Sequence, residues 1–162
     1  MKDRLLALSR RIQAELVELE RLVERTQEGW RRAQRSSDDY YLDGVALNLH
    51  GFYAGLERLF ALINSHIDQN PPGGVNWHQV LLQQMATEIP GVRPAVISPA
   101  TREALEEFRG FRHVVRNVYT FQFDPSRVRR LVQRVPSVLE RLRPELLAFA
   151  DLLQQRASET DS

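Results

Sequence analysis

Leu5, Leu8, Ile12, Leu16, Leu19, Val23 and Trp30 recur at intervals of three, four and seven across residues 2 to about 35, with Glu and Arg between them. That period gathers the apolar side chains into one stripe of an α-helix. A helix of this length presents a stripe that only other long helices can cover. It therefore reads as one arm of a helical hairpin in a bundle.

The rest of the chain repeats the pattern. Ser36-Ser37-Asp38-Asp39 is a break with N-cap chemistry. A second helix follows from about Asp39 to His66 or Ile67, with Leu42, Val45, Leu49, Phe52, Leu56, Leu59, Phe60 and Ile63 as its apolar set. Gly44, Gly51 and Gly55 inside it are expected to permit close helix approach. His50 and His66 also lie on it, and no function is assigned to either. Asp68 to Gly74 is the clearest loop. Asn76 is expected to cap a short helix from Trp77 to about Ile89, burying Trp77, Val80, Leu81 and Met85. An apolar linker, residues 90 to 97, leads to Ser98-Pro99, a serine cap with proline at the first helical position. The fourth helix runs from Pro99 to about Phe121. The last begins at Asp124-Pro125 and is kinked or divided by Pro136 and Pro144, and its polar end frays after Gln155. No strand pattern or internal repeat is present. The fold class is all-α, an antiparallel up-and-down bundle of about five helices.

At 162 residues, with 43% hydrophobic and 27% charged residues, the chain fits one domain with a sizeable core. The domain is expected over 1–158, with a disordered tail at 159–162. There is no cysteine, hence no disulfide framework and no thiolate site. No apolar run approaches the ~20 residues of a membrane helix, and no signal-peptide core follows the N-terminus. A cytoplasmic protein without a membrane partner is expected. Glycine-rich phosphate loops, HExxH and Cys/His metal clusters are absent from the sequence, and Asp38 and Asp39 would diverge on a helix. Neither a metal nor another cofactor is expected.

The net charge of +1 hides an asymmetry. Between Arg109 and Arg143 nine arginines face two carboxylates, Asp124 and Glu140, a net of +7. Within this segment, Phe108 to Phe121 crowds apolar residues, arginines, a histidine, an amide and a tyrosine into four turns. Helical spacing puts Arg109, Arg112, Arg116 and Tyr119 on one flank, with His113 and Asn117 beside them one turn apart. Phe108, Phe111, Val115 and Val118 can face a core or a partner. A planar guanidinium fork suits phosphate. Two readings stay open for the stripe: a site for a phosphate-bearing ligand, or a solvated arginine face.

An all-α bundle with an arginine-led motif on its fourth helix resembles the HEPN superfamily, and more narrowly the HepT-like ribonuclease toxins of prokaryotic toxin–antitoxin modules. The superfamily motif is Arg, four to six residues, then His. The HepT form adds a polar residue after the arginine and a tyrosine two positions after the histidine. Arg112 matches the motif arginine and Tyr119 the tyrosine. The polar residue is His113 and the histidine position is Asn117, so histidine and asparagine look exchanged.

The resemblance implies a metal-independent endoribonuclease that uses the RNA 2′-hydroxyl as nucleophile. Its histidine would shuttle a proton and its arginine would stabilise the charge on phosphorus. On this reading Arg112, His113 and Asn117 form the catalytic set, and the neighbouring Arg109 and Arg116 of the stripe are expected to bind substrate. The resemblance further implies a homodimer with facing motif helices, and a minimal nucleotidyltransferase antitoxin that adenylates the tyrosine, here Tyr119. Asparagine does not titrate. Either His113 transfers the proton from its shifted place, or the chain is a catalytically inactive bundle that binds RNA or an antitoxin-like partner. A third reading is a helical adaptor whose arginines pair within its own bundle.

Overall fold

The computed structural model describes residues 1–117, 119 and 123–160. Among them the chain forms five α-helices: α1 (Lys2–Ser36), α2 (Tyr40–Ile63), α3 (Trp77–Met85), α4 (Pro99–Asn117) and α5 (Pro125–Glu159). The all-α bundle expected from the periodicity is the fold observed. None of these helices is long and apolar enough to cross a membrane.

The long stripe of α1 is covered on two sides, by α2 and by α5. Leu8, Ile12, Leu16, Leu19 and Val23 are all buried. The turn into α2 is made by Ser37, whose left-handed backbone (φ 56°) returns its N–H to the Ala33 carbonyl. Asp38 accepts from the Tyr40 N–H at 3.0 Å, whereas Asp39 makes no side-chain cap. The close approach of α1 and α2 occurs at Gly29, where an added Cβ would stand 3.0 Å from Val45 Cγ2. At Gly44, Gly51 and Gly55 a Cβ would meet only open space or ordinary contacts. The glycines expected to admit a neighbour are therefore not the ones that do.

α5 runs antiparallel to α1, as cross-links show. Ser9 Oγ donates to the Ala150 carbonyl (3.0 Å), Arg143 reaches Glu20 (2.7 Å), and Gln27 Nε2 donates to the Val132 carbonyl (2.8 Å). α5 is one helix, undivided at Pro136 and Pro144, and the last of these contacts shows how it passes through Pro136. Pro136 has no N–H for the carbonyl four residues earlier, which is that of Val132, and the Gln27 amide of α1 supplies the missing donor. The helix also continues past Gln155 to Glu159, with Ala157 buried, so the expected fraying does not occur there.

α4 is fastened to α5 at its start and at its middle. The Ser98 hydroxyl accepts from the Thr101 N–H (3.2 Å), as the serine cap predicts. Glu145 of α5 accepts from the Ser98 N–H (2.8 Å) and the Thr101 hydroxyl (2.6 Å). Further along, Glu107 takes Arg130 and Arg134. The inner face of α4 carries Phe108 onto Phe52 of α2, ring centroids 5.7 Å apart. α4 ends at Asn117, short of the expected Phe121, and Val118, Thr120 and Phe121 lie outside the described residues.

α3 is shorter than expected, because a tight turn closed by the Ile89–Arg93 bridge replaces its last residues. It buries Leu81, Leu82 and Met85, while Trp77 and Val80 remain partly exposed. Asn76 makes no side-chain cap. One residue fixes α3 in place. Arg93 has a side chain 0% exposed and grips Asp68, 1% exposed, through Nε (2.6 Å) and Nη2 (2.7 Å). Its other N–H groups donate to the carbonyls of Gln84, Thr87 and Pro94. All five guanidinium donors are thus used, and they join the π-helical end of α2 (Asn64–Asp68) to the C-terminus of α3.

Removing Asp68 alone leaves that guanidinium buried and uncompensated. Asp68→Ala is expected to cost about 3–5 kcal/mol, read from the urea midpoint. The double variant Asp68→Ala/Arg93→Met should recover a large part of the loss.

Candidate functional site

Arg109, Arg112, His113, Arg116 and Asn117 of α4 line a single cavity of about 410 Å³. The opposite wall is Val75, Asn76, His78 and Gln79, from the loop before α3 and its first turn. The expected catalytic and substrate-binding positions are thus brought together. Tyr119 is not part of this wall. It lies two residues beyond the end of α4 and is 73% exposed, so the helical angle that grouped it with the arginines does not apply.

Two features of the cavity come from residues that periodicity passes over. Beneath it lies Glu57 of α2, with a side chain 7% exposed. One carboxylate oxygen meets His78 Nδ1 at 2.8 Å, and the other stands 3.6 Å from Arg112 Nε. That Arg112 Nε is buried with no hydrogen-bond partner among the described residues, so the guanidinium is held by charge and packing. Against a carboxylate His78 donates from Nδ1, so in the neutral ring the lone pair lies on Nε2. Its ring also stacks on Trp77, centroids 3.5 Å apart.

His113 is held differently. Asn117 Nδ2 donates to the His113 carbonyl (2.8 Å) and contacts its Nδ1 at 3.3 Å. His113 and Asn117 therefore form one local unit, in which the amide packs against the imidazole. Arg109 is paired with Glu106 (2.9 Å). Arg116 has no carboxylate partner among the described residues, and neither do Arg127, Arg129 and Arg141. The arginine stripe is partly neutralised within the bundle and partly open.

His50, about two turns of α2 from Glu57, completes the surroundings. Its Nδ1 is buried without a partner among the described residues. Burial first, then the positive charges of Arg112 and Arg116, hold its pKa below the ordinary 6.5, against a smaller opposing pull from Glu57. Tyr53 is buried beside Glu57, and both effects raise the pKa of its phenol, which stays protonated. Two larger cavities, of about 740 and 720 Å³, open at the α1–α2 turn and beside His66. The first is flanked by Glu28, whose pKa is lowered by hydrogen bonds from Arg31 and Arg32. That carboxylate is committed to its own helix.

The all-α bundle is the fold that the resemblance to HEPN-type proteins implies. Residues 44–153, more than half of the chain, match the family model described as HepT-like protein, and the chain belongs to that family. No curated protein and no solved structure matches it.

The His50 environment has a consequence for stability. The unfolded chain takes up a proton near pH 6.5, and the folded chain does so only at lower pH. The contribution is thus complete above about 6.5 and is lost as the pH falls toward the depressed folded value. Thermal melts of wild type and His50→Gln between about pH 7.5 and 5 should show a shallower acid-side decline in the variant.

Proposed function

We propose that this HepT-like protein is a metal-independent endoribonuclease of a toxin–antitoxin module, cleaving RNA in a cleft where two copies meet. The supporting observation is the convergence of Arg109, Arg112, Arg116, His113 and Asn117 on one cavity. Arg112 and Arg116 bring positive charge to the phosphodiester and stabilise what develops on phosphorus. His113 transfers a proton, and Asn117, at the position where the family carries histidine, orients its ring.

Asn117 also favours a second reading, in which cleavage has been lost and the cleft binds RNA or a nucleotidyltransferase antitoxin. That state would show salt-sensitive RNA binding without cleavage. Tyr119 is the position an adenylating antitoxin would modify. Its exposure suits that role, and the added phosphate would compete with RNA for the arginines. Intact-mass measurement after co-expression with such a partner is expected to show adenylate on the wild type and none on Tyr119→Phe.

The deciding experiment incubates the purified protein with total RNA in excess chelator. Cleavage to 2′,3′-cyclic phosphate ends is expected. His113→Ala should slow it about 10²–10⁴-fold, and Arg112→Ala should also abolish most of it. Cleavage that survives both substitutions would overturn the proposal.

A further inference from the structure

Transesterification of RNA needs a base at the 2′-oxygen as well as an acid at the departing 5′-oxygen. The motif helix supplies one imidazole, and its Nδ1 already faces the Asn117 amide. From the geometry across the cavity we infer that His78 of α3, oriented by the buried carboxylate of Glu57, is the general base of the cleft. This rests on the reading of the cleft as an RNA-cleaving site.

Three observations carry the assignment. His78 lines the same cavity as Arg112, Arg116 and His113. Its Nδ1 is taken by Glu57 at 2.8 Å, so Nε2 is the ring nitrogen that keeps a lone pair for a substrate hydroxyl. The side chain is 25% exposed while its carboxylate partner is 7% exposed. A histidine serving only to neutralise Glu57 would have no need of that opening, and Arg112 already stands by the other carboxylate oxygen at 3.6 Å. When Nε2 takes a proton, the buried carboxylate faces an imidazolium, and the pair is stabilised by charge. Glu57 acts through His78 and is a positioning residue.

The step balances. His78 Nε2 takes the 2′-hydroxyl proton as the 2′-oxygen bonds to phosphorus. The P–O5′ bond breaks, its electron pair leaves with the 5′-oxygen, and that oxygen takes a proton from the imidazolium of His113. The products are a 2′,3′-cyclic phosphate and a free 5′-hydroxyl. Water then returns a proton from His78 to His113, and nothing is oxidised or reduced.

The test uses the full chain and a labelled single-stranded RNA that the wild type cleaves in chelator. His78→Ala and His78→Gln are expected to lower kcat about 10²–10⁴-fold with KM and RNA affinity held. Imidazole in the buffer should restore part of the activity to His78→Ala. Glu57→Gln should lower kcat with little change in KM. His66→Ala, beside a separate cavity, should behave as wild type. Wild-type rates in both His78 variants would overturn the inference and leave the ribonuclease reading standing. A loss that imidazole does not restore, or that comes with lost RNA binding, would also overturn it. A wild type that cleaves no RNA overturns both.

Discussion

A carboxylate sealed under a cluster of arginines holds together the α3–α4 cavity. Glu57 is set on α2 between Tyr53 and Phe60, both buried, where an unpaired charge would cost several kcal/mol. Its two oxygens face groups from two other helices, His78 of α3 and Arg112 of α4. The carboxylate thereby ties together the two walls of the cavity, one from α3 and one from α4. It also offsets part of the repulsion among Arg109, Arg112 and Arg116.

That arrangement requires α3 to be held in register, and nine residues with three buried side chains are a weak anchor. The fully engaged guanidinium of Arg93 supplies what burial does not. It closes the exposed carbonyls at the C-terminus of α3 and ties them to the end of α2, the helix that carries Glu57. α4 is held independently, by Glu145 at its start and Glu107 at its middle. Each wall of the cleft is thus fixed to the long helices by a buried or half-buried polar contact, with hydrophobic packing behind it.

The elements built on sustained periodicity were legible in the sequence. α4 and α5 begin where Ser98-Pro99 and Asp124-Pro125 place them, α2 begins directly after the Ser36 to Asp39 break, and the convergence of Arg112, His113, Arg116 and Asn117 follows from spacing within one helix. What was not legible depends on contacts between distant segments. Pro136 reads as a break, and only a glutamine 109 positions earlier, Gln27, makes it tolerable. His78 is separated from Glu57 by 21 positions and a loop, so no local pattern joins them. A signal did exist: Tyr53, Glu57, Phe60 and Asn64 fall on one helical stripe, and all are buried. A lone carboxylate on an apolar stripe demands a cationic or protonic partner from elsewhere, and His78 answers it.

The pairing of α1 with α5 sets the order in which the bundle can be assembled. Its cross-links join residues 105 to 141 positions apart, so loop closure is long and contact order is high for an all-helical chain. During synthesis the apolar stripe of α1 gains α2 early, but its other side stays open until Val132 and the turns after it have emerged. Over that interval the nascent chain carries an uncovered hydrophobic seam, the sort of surface that chaperones hold or that neighbouring chains seize.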